Sequence, residues 1–287
     1  MLRPFFLLAL LLFPAVGFAA QTITAIKVTT PPVIDGAVND DAWKDVKPIA
    51  IRDTVANVNI LLRAVYTDDM VYFAVVYPDQ AQNAFHKPWI WDDKLKAYAE
   101  GPHREDTFTF KWNMESKDVD LSTFADNSYR SDVWYWKANR SNPAGYADDK
   151  IDTLSDTPAA KATEVISSTG KKRYLLRLGD QGSEASRELP KPTVLTQSLI
   201  DRYAAQKPSG SRADIRAKGV WNGGFWIIEF ARKLQTGQND DVQFLSKGGP
   251  YLFGVSIFSL YGNKIDKAQP NLYGMGEVSE PLHLVFK

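Results

Sequence analysis

Hydrophobic and polar positions alternate with a period of two wherever the pattern along the chain is strong. Phe108, Phe110 and Trp112 alternate with Thr107, Thr109 and Lys111, and Leu282, Leu284 and Phe286 close the chain in the same way. Tyr251, Phe253, Val255 and Ile257 share one parity of a further segment. Successive side chains of a strand point to opposite faces, so this alternation predicts strands with one buried face. Two other runs, Val71 to Tyr77 and Phe225 to Phe230, are apolar on both parities and predict strands covered on both sides. Turn formers separate the runs: Pro31-Pro32, Asp68-Asp69, Pro78-Asp79, Asn222-Gly223-Gly224 and Gly248-Gly249-Pro250. The pattern predicts an all-β protein, an antiparallel β-sandwich. Helical spacing is convincing only from Leu195 to Ala205, ahead of Pro208-Ser209-Gly210. Residues 152–212 otherwise lack a strong period and read as a long helical or irregular insertion. One domain over 21–287 is expected, because the C-terminal strands alone would leave much apolar surface uncovered.

Residues 1–20 have a different pattern. Arg3 precedes the apolar run Phe5 to Phe13, then come Pro14 and the small residues Gly17, Ala19 and Ala20. A positive start, a short apolar core and a small-residue exit predict a signal peptide cleaved after Ala19 or Ala20, and the core is too short to span a bilayer. The mature chain is therefore expected outside the cytoplasm, without a membrane span.

Composition narrows the chemistry. The 287 residues carry 34 Lys+Arg against 34 Asp+Glu, so nucleic acid is a poor partner: a phosphate tracker needs a basic excess. The absence of cysteine excludes disulfides, thiolate nucleophiles, iron–sulfur clusters and covalently attached haem, leaving His, Met, Lys, Tyr and carboxylates as possible holders of a cofactor. The three histidines, His86, His103 and His283, form no pair at zinc-ligand spacing, and His283 is expected to face solvent between Leu282 and Leu284. No Gly-x-Ser-x-Gly elbow and no glycine-rich phosphate loop is present.

What remains is aromatic density around a methionine. Met114 shares parity with Phe108, Phe110 and Trp112. A thioether among aromatics either fills a core gap or serves as an axial ligand to haem iron. Trp89, Trp91, Trp134 and Trp136 offer flat surface on which a porphyrin or a sugar ring stacks, or they fill the interior of the sandwich. The acidic pairs Asp40-Asp41, Asp148-Asp149 and Asp240-Asp241 are either calcium ligands or solvated turn residues, without EF-hand spacing.

Several blocks resemble a known family. Pro32-Val33-Ile34-Asp35-Gly36 with Asp40-Asp41-Ala42-Trp43 resembles the opening of carbohydrate-binding family 9 and DOMON-like sandwiches. Lys87 to Asp92, Glu105-Asp106 to Trp112, Tyr129 to Arg140, Pro143 to Asp149, Gly219 to Trp221, Trp226 to Leu234 and Asp240 to Phe244 resemble the haem-binding domain of ethylbenzene dehydrogenase gamma subunits, also described as the cytochrome c-552/dimethylsulfoxide-reductase-like haem-binding domain. The resemblance implies a periplasmic β-sandwich over 21–287 holding one non-covalent b-type haem between Met and Lys ligands. Such a chain passes electrons between a molybdenum/iron–sulfur oxidoreductase and a soluble cytochrome and is not itself a catalyst. Carried onto this chain, Met114 is the methionine ligand and Lys267 the lysine, with Lys264, Lys233 and Lys218 as alternatives. Trp89, Trp91, Trp112, Trp134 and Trp136 supply the aromatic walls. The alternative is a carbohydrate-binding module that stacks sugars on the same indoles and holds no haem.

Overall fold

The computed structural model describes residues 20–53, 56–257, 278 and 280–287. The first nineteen residues of the expected signal peptide, together with Lys264 and Lys267, lie outside the described residues. Two packed layers of strands form the architecture. One layer runs in the order β10 (Thr163–Ile166), β11 (Lys172–Gly179), β9 (Asp148–Ser155), β8 (Tyr129–Lys137), β7 (Thr107–Asn113), β17 (Tyr251–Ile257), β18 (Leu282–Phe286) and β1 (Gln21–Lys27). The other continues from β1 through β3 (Val58–Tyr66), β4 (Met70–Pro78), β16 (Phe225–Lys233) and β15 (Arg216–Asn222), with β2 (Ile49–Asp53) also on β3. β1 belongs to both layers: Gln21 to Ala25 pair with β18 and Ile26-Lys27 with β3, both in parallel. The other strand pairings are antiparallel, as the alternating sequence pattern predicts.

Register carries the period-two pattern into the core. Phe108, Phe110 and Trp112 of β7 lie opposite Trp136, Trp134 and Asp132 of β8 and opposite Ile257, Val255 and Phe253 of β17. Their rings meet those of the second layer, with Phe110 5.1 Å from Phe230, Phe73 4.9 Å from Phe110, and Trp136 4.8 Å from Trp226. Each fully buried aromatic contributes on the order of 2–3 kcal/mol through removal of its surface from water. The two doubly apolar runs are β4 and β16, paired along their full lengths. Their outer face is covered by the opening segment, where Trp43 and Val46 pack with Val65, Tyr72, Ala74 and Ala231. Glu229 of β16 locks that cover. It accepts hydrogen bonds from the backbone N–H of Asp35 and Gly36 and from the Trp43 indole, at 3.1, 2.8 and 2.9 Å. Gly36 adopts φ +83°, and a Cβ there would stand 2.9 Å from Val220 Cγ2, so the turn requires glycine.

Two expectations about residues 152–212 are corrected. First, β9, β10 and β11 extend the main layer, so the departure from it begins only after Gly179. Second, Leu195 to Ala205 is not a helix; it contains β13 (Leu199–Ile200) and β14 (Tyr203–Ala205). Leu199-Ile200 pair with β5 (Trp89–Asp92), itself paired with β6 (Ala97–Glu100), and β14 pairs with β12 (Ser186–Glu188). The Tyr98 hydroxyl donates to the Gln197 carbonyl at 2.6 Å and accepts from the N–H of Thr196 and Gln197. An isolated helix of this length is marginal in water, and β-branched Thr196 and Ile200 weaken it further. Tertiary partners for its backbone groups therefore win.

Candidate functional site

Met114 falls one residue beyond β7, half-buried, its N–H donating to the Arg130 carbonyl at 3.1 Å. The loop that follows lines an open groove of about 510 Å³ with Lys117, Asp118, Val119, Asp120, Leu252 and His283 among its walls. A second, more enclosed hollow of about 250 Å³ shares Val119, Asp120, Leu252 and Pro281 and adds Leu121, Phe253 and Val278. Leu252 and His283 occupy the parity opposite to the core-facing residues of β17 and β18, which places the groove on the outer face of the layer. His283 is only partly exposed there, since its Nε2 pairs with Asp118 at 2.7 Å.

The indoles do not line this groove. Trp112, Trp134 and Trp136 have no solvent exposure and fill the interior between the layers. Trp112 lies 5.3 Å from Trp134 and stacks on Phe253 at 4.4 Å. Trp89 and Trp91 are half-buried in the small sheet formed by β5, β6 and β13. The Arg202 guanidinium lies 4.8 Å over the Trp89 ring, and Trp91 packs edge-on against Tyr98 at 5.2 Å. Lys218 and Lys233 belong to β15 and β16, in the layer opposite the strand that ends just before Met114.

Two carboxylates side by side on β9 meet opposite surroundings. Asp148, on the outer face, accepts from Lys137 Nζ at 2.6 Å and from Arg212 Nε and Nη2 at 2.9 and 2.5 Å. Burial pushes its carboxyl up, but Lys137 and Arg212 outweigh that and hold it below the ordinary carboxylate range. Burial also lowers the neighbouring Lys150 to about 8, with Lys137 adding like-charge repulsion.

Asp149, on the inner face, has no such partners. Its carboxylate groups with those of Asp132 and Asp241, the nearest oxygens lying within 4.8 Å of one another. Asp180 borders the set, with its N–H on the Asp149 carbonyl at 3.2 Å. One cation enters from the second layer: Arg232 Nη1 pairs with Asp132 Oδ2 at 2.6 Å, both side chains fully buried. The same guanidinium donates to the Val242 carbonyl and lies over Trp134 and Phe244 at 4.9 and 5.2 Å. Asp132 Oδ2 also accepts the Val242 N–H at 3.0 Å. Burial raises all four acids. Asp149 lies well above the usual range, with Asp132 and Asp241 adding repulsion, while Asp180 and Asp241 reach about 8 and about 7. Asp132 is raised as well, despite Arg232.

A family model described as ethylbenzene dehydrogenase matches residues 21–269. The chain belongs to that family. It is also similar to two solved structures of a carbohydrate binding module family 9 from Caldicellulosiruptor kristjanssonii. With the module in complex with cellotriose it shares 12% identity at a TM-score of 0.39, over 93% of this chain and 95% of that one. With the module in complex with glucose the values are 13%, 0.37, 93% and 97%. No curated protein matches the chain. Among the described residues no helix is long and apolar enough to cross a membrane.

The blocks that carry the resemblance to the ethylbenzene dehydrogenase family meet one another in space. Asp35-Gly36 and Trp43 close on Glu229, and Asp106 Oδ2 accepts the Trp226 indole N–H at 2.9 Å. Glu105 holds the N–H groups of Asn139 and Arg140 at 2.7 and 2.9 Å, as well as the Arg140 guanidinium. Asp149 and Asp241 stood out in the sequence only as members of acidic pairs. Asp132 and Arg232 were missed, although each carried a signal: a charge on the inward parity of Trp134 and Trp136, and another on that of Trp226, Ile228 and Phe230.

Proposed function

We propose that this chain is an exported, b-haem-binding electron-transfer subunit that works beside a molybdenum-containing dehydrogenase of the ethylbenzene dehydrogenase type and does not itself catalyse the reaction. The observation that carries the reading is the family match over residues 21–269 together with the position of Met114, at the root of the loop that walls the groove. The donor chemistry fits: a half-buried thioether is a soft donor of the kind haem iron accepts, and a chain without cysteine would hold a haem without covalent attachment. A bound haem would supply one-electron exchange. The chain's own part would be to offer the Met114 thioether at the start of this loop, while Val119, Leu121, Leu252, Phe253 and Val278 wall the hollow further along it, which Met114 itself does not line. Lys267, the proposed second ligand, has to ligate as the neutral amine, which burial favours. With its first residues read as a leader, the mature chain would work in the periplasm, where a soluble cytochrome would be its exchange partner.

The sugar-stacking alternative finds less support. Trp134 and Trp136 expose no face, and Trp89 lies under Arg202.

The test is an absorbance spectrum of the full exported chain purified from a haem-replete periplasm. A Soret band that shifts on reduction is expected. Met114→Ala should convert the low-spin spectrum to high-spin, and Lys267→Ala should do the same. A colourless wild-type protein that takes up no added haem would end the proposal.

A further inference from the structure

We propose that Asp132, Asp149 and Asp241, with Asp180 at their border, form a calcium site between the β8–β9 pair and the loop that follows β16. Among the described residues this is the set of three carboxylates whose oxygens converge within 4.8 Å. Convergence alone would be a charge cluster, but these side chains are also buried: Asp132 and Asp149 at 0% exposure, Asp241 at 5% and Asp180 at 7%.

Their oxygens are short of donors. Oδ1 of Asp132, Oδ2 of Asp149 and both oxygens of Asp180 and Asp241 have no hydrogen-bond partner. The Trp134 indole and the Thr236 hydroxyl lie near enough to relieve Asp132 and Asp241 in part, and the Lys150 N–H donates to Asp149 Oδ1 at 3.1 Å, but what faces Asp149 across the cluster is the carboxyl of Asp180, an acid against an acid. Buried polar groups are almost always satisfied, and an isolated buried carboxylate is costly, so a ligand or a proton has to complete the cluster.

The donor set selects the ligand. Four carboxylates present hard oxygens without nitrogen or sulfur, which suits calcium and disfavours zinc or copper. Magnesium keeps much of its water and demands a tight octahedron, whereas calcium accepts six to eight oxygens from a protein cage. Arg232 neutralises Asp132 and fixes its orientation from the opposite layer, leaving negative charge over for a cation. Entry is from the side of Asp180 and Asp241, the two members with residual exposure. Asp241 is positioned by its loop: Gln243 Nε2 donates to the Asp241 carbonyl at 3.2 Å and to the Thr236 hydroxyl at 3.0 Å. The site would tie β8 and β9 of one layer to the loop leaving the other. It is independent of haem.

The experiment uses the full exported chain, stripped with a chelator and desalted, then titrated with calcium chloride while binding heat, bound metal and thermal unfolding are followed. One calcium per chain is expected, with a rise in Tm of about 5 °C at saturation and a much smaller response to magnesium. Asp149→Asn and Asp241→Asn should each weaken calcium binding at least tenfold. If either variant fails to fold, the comparison of stripped and calcium-loaded wild type still decides. A wild-type Tm that is the same in chelator and in millimolar calcium, with no metal retained, overturns the proposal and assigns the cluster to protons. Undiminished calcium binding by the two variants overturns it as well.

Discussion

Asp148 and Asp149 are adjacent on one strand, both buried, and opposite in fate. On the outer face Asp148 is surrounded by Lys137, Arg212 and Lys150, and its charge is neutralised by the chain itself. On the inner face Asp149 looks at Asp132, Asp241 and Asp180 across a single arginine, so negative charge remains after every local pairing is made. The residue type is the same and both side chains are buried, so the difference lies in neighbours brought together from distant parts of the chain. A buried acid is a structural residue where the fold completes it, and a candidate binding residue where the fold leaves it incomplete.

The strongest way to break this contrast is to remove the one inner cation. Arg232→Met should cost about 3–5 kcal/mol, measured by urea unfolding, because Asp132 is left charged, buried and unpaired. On the outer face Lys137→Met leaves Arg212 in place on Asp148, so a smaller loss of about 2 kcal/mol is expected in the same assay. A sharper comparison comes from the paired substitutions. Asp148→Asn should destabilise, whereas Asp149→Asn in the presence of a chelator should leave stability equal or raise it by about 1 kcal/mol, because repulsion inside the cluster is relieved. Two losses of the same sign would show that the two faces are not electrostatically distinct.

The smallest effect concerns the polar layer outside β7 and β8. Burial lowers His86 to about 3, and Arg140, Arg104, Lys87 and Lys137 add to the shift; Glu105 Oε1, 3.3 Å from Nδ1, and the Tyr203 ring are its other neighbours. The folded protein therefore keeps His86 neutral while the unfolded chain protonates it near pH 6.5. Its contribution is fully present above that pH and is lost as pH falls from 6.5 toward 3. His86→Gln should flatten the fall in stability by about 1 kcal/mol over the first pH unit below 6.5, read from unfolding curves at matched salt. An unchanged slope would mean that His86 is protonated in the folded state.

The strands at the centre of the two layers were legible because each announced itself locally. The alternation at Phe108, Phe110 and Trp112, and the doubly apolar runs around Phe73 and Phe230, required only that side chains leave a pleated backbone on opposite sides. The stretch from Leu195 to Ala205 was misleading for the converse reason. Its apolar residues suit a helix by spacing, but its backbone groups found partners on Tyr98 and β5, a hundred residues away in sequence. The indoles split the same way: their number was evident, yet that Trp112 packs on Trp134 and Trp136 on Trp226 while the Met114 loop opens a groove elsewhere depended on how the layers close.

By itself the sequence determined a sandwich of alternating strands, an apolar first segment, the absence of thiol chemistry, and the blocks shared with the ethylbenzene dehydrogenase family. These follow from residue type, period and local order. Only the tertiary structure decided that Glu229 would hold the opening turn, that Arg232 would reach through the interior to Asp132, and that Asp149 would go without a cation of its own while Asp148 was given two. Each of those outcomes is an electrostatic balance between groups tens to more than a hundred residues apart, and that balance is set by distance and burial, which exist only once the two layers have closed.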